Sequence, residues 1–92
     1  MKIYQYDHLD KSFIAEKEAE FNTNNEMILP VFHTILPPPI VEDKQVAVFD
    51  EYEIKWNIHP DHRGEIWYDK NKNSILVQFI GDPKDNNLFR EV

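Results

Sequence analysis

Between Gln45 and Ile80 the chain alternates apolar and polar residues with a period of two, interrupted only by short runs of turn-forming residues. Side chains of an extended strand point to opposite faces in turn, whereas a helix repeats about every 3.6 residues. The stretch therefore predicts strands at 45–49, 53–58, 64–69 and 74–80. The polar breaks between them carry Asp, Asn, Gly and Pro, each suited to a tight turn. An antiparallel meander over residues 45–81 is the expectation, within a single, mainly β domain spanning residues 1–92.

A register follows from the loop lengths. With Asp50-Glu51-Tyr52 as a three-residue loop, Val48 lies opposite Ile54 and Val46 opposite Trp56. With Lys70 to Asn73 as a four-residue loop, Tyr68 lies opposite Ile75, Ile66 opposite Val77 and Gly64 opposite Phe79. Placing Trp56 opposite Ile66 joins the two hairpins across His59 to Arg63. One face then carries Val46, Val48, Ile54, Trp56, Ile58, Ile66, Tyr68, Ile75, Val77 and Phe79, all apolar or aromatic, and is the expected core face.

The reverse face carries Ala47, Phe49, Lys55, Asn57, Glu65, Trp67, Leu76, Gln78 and Ile80. A solvated sheet face should be mostly polar, so Phe49, Trp67, Leu76 and Ile80 stand out. Two readings are open. Either the segment before residue 45 covers this patch, or the patch is a contact surface for another chain, as large apolar patches often are. In the second case Trp67 and Arg63 are the expected anchors, since interfaces draw most of their energy from aromatic and arginine residues.

At 92 residues the core is small, and with no cysteine there is no disulfide to reinforce it. Docking to a second copy or to another protein is the expected source of further stability. The net charge of −7, with Lys and Arg dispersed, argues against nucleic acid and anionic membrane as partners. The start MKIYQYDHLD lacks the apolar core of a signal peptide, and no apolar run has the length of a membrane helix. A cytoplasmic protein is expected.

Ahead of the meander, Lys2 to Tyr6 reads as a strand and Asp7 to Lys11 as a turn. Ser12 to Phe21 reads as a returning strand, with a short helix as the alternative, so that 1–21 makes an N-terminal hairpin. Asn22 to Asn25 is a second turn. The 22–44 segment is a proline-rich extended strap: four prolines between Pro30 and Pro39 exclude a helix interior or a central strand. It reads either as an apolar cover over Trp67 and Leu76 or as a proline-rich ligand for an aromatic groove. Gly81-Asp82-Pro83 stops the last strand, and 82–92 is a polar tail in which Leu88 and Phe89 are candidate docking residues.

Chemistry-bearing patterns are sparse. His59 and His62 around Pro60 and Asp61 have a spacing that two imidazoles on one metal ion can use, but no second ligand pair follows. A surface turn is the better reading: Pro60 presets φ, Asp61 and His62 satisfy local amides, and Gly64 permits a positive φ. No nucleophile–base pair and no glycine-rich phosphate loop can be picked out. No catalytic residue, metal or cofactor is expected, and the chain does not read as an enzyme.

At this turn a resemblance emerges. DHRGEIWYDKNKNSILVQFIGDP resembles a segment of phage tail fibre assembly proteins and related short phage tail proteins, with its Asp-His-Arg-Gly turn, Tyr-Asp hairpin and Gly-x-Pro stop. Upstream, KQVAVFDEYEIKW resembles their Val-Ala-Val-Phe-Asp … Trp strand pair, TILPPP their approach to Pro-Pro, and MKIYQYDHLDKSFI their N-terminal Tyr-x-Tyr-Asp hairpin. The order and spacing of the four motifs agree. The departures are Asn71-Lys72-Asn73 where the family often has Thr-Gly, an Asp-Glu-Tyr loop without glycine, and a shorter chain. The resemblance implies a non-enzymatic component that binds a tail fibre and assists its folding or trimerisation. It would act in the host cytoplasm during phage assembly or remain at the fibre tip in the virion tail. The competing reading is a small acidic inhibitor or adaptor that binds a host protein.

Overall fold

The computed structural model describes residues 1–90. Nine short strands and one 3-10 helix make up the regular structure: β1 Lys2–Tyr6, β2 Phe13–Glu18, β3 Glu20–Phe21, β4 Met27–Ile28, β5 His33–Thr34, β6 Gln45–Asp50, β7 Lys55–Pro60, β8 Ile66–Tyr68, β9 Ser74–Leu76, and the 3-10 helix Pro83–Asn86. The protein is mainly β, in small antiparallel sheets ordered β2-β1-β5, β3-β4, β6-β7 and β8-β9. The expected four-stranded meander is thus two separate hairpins. The chain forms two compact units, residues 1–41 with 47–58, and residues 42–46 with His59 onward.

In the first unit the N-terminal hairpin is as expected: β1 pairs β2 antiparallel, from Lys2 opposite Glu18 to Tyr6 opposite Phe13. Its turn is built by Asp7, whose Oδ1 accepts the amides of Leu9 and Asp10 at 2.8 and 3.2 Å. Asn22 builds the next turn in the same way, accepting the amides of Asn24 and Glu26 at 2.9 Å. Such Asx bonds stabilise a reversal without help from the rest of the fold. The proline-rich strap is anchored inside this unit. Its residues His33 and Thr34 pair with Gln5 and Tyr4, the Phe32 carbonyl accepts Tyr6 N–H at 2.9 Å, and the Leu36 carbonyl accepts Trp56 Nε1–H at 2.8 Å.

The interior here is aromatic. Tyr6 stacks on Phe49 with centroids 4.9 Å apart, and Trp56 meets Phe49 edge-on at 5.1 Å. Phe13 and Phe32 extend the cluster at 6.0 Å from Trp56 and 6.1 Å from Tyr6. Each such pair adds about 0.5–1.5 kcal/mol beyond area burial. This corrects the expected register. The β6–β7 loop runs over residues 51–54, one residue longer than the three-residue loop expected. One added residue moves every following side chain to the other face. Trp56 therefore meets Phe49, and Ile54 and Ile58, expected in the core, are exposed.

The second unit shows the same correction. The β8–β9 loop runs over residues 69–73, again one residue longer than expected, because Asp69 Oδ1 accepts the amides of both Asn71 and Asn73 at 2.9 Å. Tyr68 is paired with Ser74, Trp67 with Ile75 and Ile66 with Leu76. Trp67, Val77 and Leu88 form the core, with Ile75 and Phe79 packed against it. Val77 exchanges hydrogen bonds with two successive residues, accepting Gly64 N–H at 3.0 Å and donating to the Glu65 carbonyl at 2.9 Å. Gly64 takes φ +89° there. The tail is folded too: Asp82 caps the 3-10 helix by accepting Lys84 N–H at 3.0 Å, and Pro83 and Leu88 are buried.

Candidate functional site

The second unit brings together the residues on which the sequence placed most weight. His59 and Pro60 end β7, and the Asp61 amide donates to the Lys44 carbonyl at 2.8 Å. Asp61 then holds Arg63 in a fork, with Nε to Oδ1 at 2.7 Å and Nη2 to Oδ2 at 2.9 Å, and accepts the Arg63 amide at 3.2 Å. Arg63 hydrogen bonding holds the Asp61 carboxyl below its ordinary range. His62 is turned inward, meeting Trp67 edge-on at 5.4 Å.

Glu65 is the centre of this region, and sequence reasoning did not single it out. Its Oε2 pairs with Lys44 Nζ and lies 3.2 Å from His62 Nδ1. Its Oε1 accepts Trp67 Nε1–H at 3.1 Å and the Arg90 guanidinium at 2.9 Å. The Lys44 bond foremost, with those from Trp67 and His62, pulls the carboxyl down to about 2. A carboxylate so saturated with donors is poorly suited to take up a proton near neutral pH. It serves instead to satisfy the one polar atom of the buried indole and to bring Lys44 and Arg90 to the hairpin. No signal in the sequence points to this, since Lys44 and Arg90 lie 21 and 25 positions away.

Trp67 and Phe49, contact residues on one of the two readings of the reverse face, are 4% and 6% exposed, so neither is a surface residue. Leu76 is open, Ile80 is partly buried, and Arg63 is engaged with Asp61. Among the described residues, no group of three or more His, Asp or Glu side chains is placed to hold a metal ion.

What the unit does present is the opposite side of the β8–β9 hairpin. Directly paired residues of an antiparallel ladder share a face. Ile66 and Leu76, 45% and 50% exposed, are such a pair. Tyr68 is bridged to Phe89, with backbone N–H to carbonyl bonds of 2.7 Å in both directions. Phe89, 52% exposed, therefore continues the face beside Tyr68, while its neighbour Leu88 turns into the core against Trp67. The result is an open apolar face of Ile66, Leu76, Tyr68 and Phe89.

Fold and site together define a small antiparallel β protein with a saturated internal carboxylate and one open apolar sheet face. The chain is 31% identical over 87 residues to the prophage tail fiber assembly protein homolog TfaR of Escherichia coli strain K12. It is 30% identical over 87 residues to the tail fiber assembly protein of Escherichia phage lambda. Each match covers 94% of this chain and 44% of the relative, so the chain spans less than half the length of the curated relatives it matches. No protein-family model matches it, and no solved structure does. The chain is thus similar over nearly its whole length to two proteins named for tail fibre assembly, the family that the four sequence motifs resemble.

Proposed function

We propose that the chain acts in phage tail fibre assembly as a non-enzymatic binding protein, holding a fibre protein in the host cytoplasm through the open face of Ile66, Leu76, Tyr68 and Phe89. The observation that carries the role is the relationship across 94% of the chain to two proteins named for fibre assembly. The face supplies the means, because exposed cross-strand apolar residues gain from burial against a partner at roughly 25 cal/mol per Å². Of the apolar residues expected on the reverse face, Leu76 belongs to this open face, whereas the expected anchor Arg63 is engaged with Asp61. Trp67 supports the face from behind, since its own surface is already covered.

Co-expression with a phage tail fibre protein tests this. The wild-type chain should co-purify with the fibre, and the double substitution Ile66→Asp with Leu76→Asp should abolish capture while leaving the β8–β9 amide signals dispersed. Undiminished capture by the folded double variant would remove the face from the interaction. Failure of the wild-type chain to bind any co-expressed fibre protein would remove the role itself.

A further inference from the structure

A second recognition site, on the first unit, is inferred from a cleft that the proposed role does not use. Two register pairs and the strap line it. Ile3 lies opposite Lys17 in the β1–β2 ladder, Glu20 lies opposite Ile28 in the β3–β4 ladder, and Glu18, Pro30 and His33 complete the wall. The cleft lies where β2 ends at Glu18 and β3 begins at Glu20, with Pro30 and His33 of the strap along it. Its volume is about 270 Å³, just under the ~300–1,000 Å³ of pockets that enclose whole small molecules. That size suits one or two side chains of a protein.

Charge identifies the kind of side chain. The first unit holds nine acidic residues against four lysines, while the second holds eight against six basic ones. Three of the four lysines are already engaged: Lys2 with Glu16 and Glu18, Lys11 with Glu51, and Lys55 with Glu53. Glu20, at the cleft, makes no ion pair or side-chain hydrogen bond among the described residues, nor does Lys17. The recess thus combines apolar Ile3, Ile28 and Pro30 with a Glu20 carboxylate that makes no ion pair, beside Lys17, in an acidic unit. Lysine and arginine match both features, burying an aliphatic stem while the charged head stays at the rim.

We infer that the Ile3–Ile28–Pro30 cleft seats a lysine or arginine side chain of a protein partner, with Glu20 pairing its cationic head. The site is independent of the β8–β9 face, so either can fail without the other. Lys17 opposes the incoming cation and keeps the interaction weak.

The test is an amide chemical-shift titration of the intact chain with a capped pentapeptide of alternating valine and arginine, and with its valine–glutamate counterpart. The arginine peptide should shift Ile3, Lys17, Glu20 and Ile28, and the glutamate peptide should not. Glu20→Gln should weaken the binding about two- to fivefold, the size of a largely exposed ion pair, and Lys17→Gln should tighten it by a similar factor. Raising the salt concentration should weaken binding to the unaltered protein, a check that needs no variant. Absence of shifts at these four amides up to millimolar peptide, or equal shifts with both peptides, would overturn the proposal. Fibre capture measured on Glu20→Gln keeps the two sites apart: its retention leaves the role on the β8–β9 face intact.

Discussion

The two units are made from the same short strands and close their interiors by different means. In the first, Tyr6, Phe49 and Trp56 pack ring against ring, and the indole N–H of Trp56 is satisfied by a backbone carbonyl, that of Leu36. In the second, a single indole lies among aliphatic side chains, and its N–H is satisfied by the ionised Glu65, itself held by Lys44 and Arg90. A backbone carbonyl does not titrate, but a carboxylate does. The first interior is therefore sensitive to base through Tyr6, whose phenol donates to Glu51 at 3.0 Å. The second has the opposite sensitivity. Each unit contains one of the two tryptophans, so fluorine NMR of fluorotryptophan-labelled protein reports each interior by its own resonance.

The largest effect expected is that of Trp67→Ala. Removing a core indole costs about 3–5 kcal/mol, comparable with the whole stability of a small domain. The second unit should lose its dispersed amide signals, while the Trp56 resonance reports whether the first survives. A Trp67→Ala protein with an unchanged urea midpoint would show that the indole is not core.

Acid should separate the units next. Glu65 has its folded-state pKa lowered from 4.5 to about 2, so its contribution is fully present above pH 4.5 and is lost as pH falls from there towards 2. Over that window the Trp67 resonance should broaden or shift before that of Trp56, and Glu65→Gln should remove this pH dependence. Simultaneous loss of both resonances, unaltered by Glu65→Gln, would break the contrast.

Base gives the converse test. Burial foremost, with the bond to Glu51, pushes the Tyr6 phenol up from 10 to about 12. A raised folded-state pKa means that its contribution is complete below pH 10 and is lost between 10 and 12. The Trp56 resonance should respond in that range, and Tyr6→Phe, which keeps the ring in the cluster, should abolish the response. The smallest effect is a gain. Ile54 is exposed and held at φ +55°, in the left-handed region that β-branched residues avoid. Ile54→Gly should stabilise the first unit by about 1 kcal/mol, read as a higher urea midpoint; a lower midpoint would show that the Ile54 side chain contributes more than its strain costs.

Local chemistry was legible because its partners are close along the chain. The Lys2–Tyr6 strand, the Asp7 and Asn22 turns, the Asp61 cap and the positive φ of Gly64 all depend on residues within a few positions. Leu88 was legible as a docking residue because it stands apolar in a polar tail. The candidate face was half legible: Leu76 is named for the reverse face and Phe89 as a docking residue of the tail, but Ile66 and Tyr68 fall on the expected core face. Phe89 joins the face only through its bridge to Tyr68, 21 residues away.

The sequence by itself determined the strand period, the positions of the turns and hence a mainly antiparallel β protein. It did not determine which face of each hairpin is inside. That rests on the loop bounds: Asp50, Glu53 and Ile54 in the first hairpin and Asp69 in the second change places between loop and strand, and with a period of two an odd shift reverses every side chain. Ile54 is drawn into its loop by its amide bonding to the Asp50 carbonyl at 2.8 Å, and Asp69 by capping Asn71 and Asn73. These bonds favour the longer loops only because the resulting registers bring Phe49 to Trp56 and Trp67 to Val77 and Leu88. Burial of those rings, together with a carboxylate that gathers charges from both ends of its unit, is a property of the assembled fold and selects between two registers that the alternating sequence supports equally well.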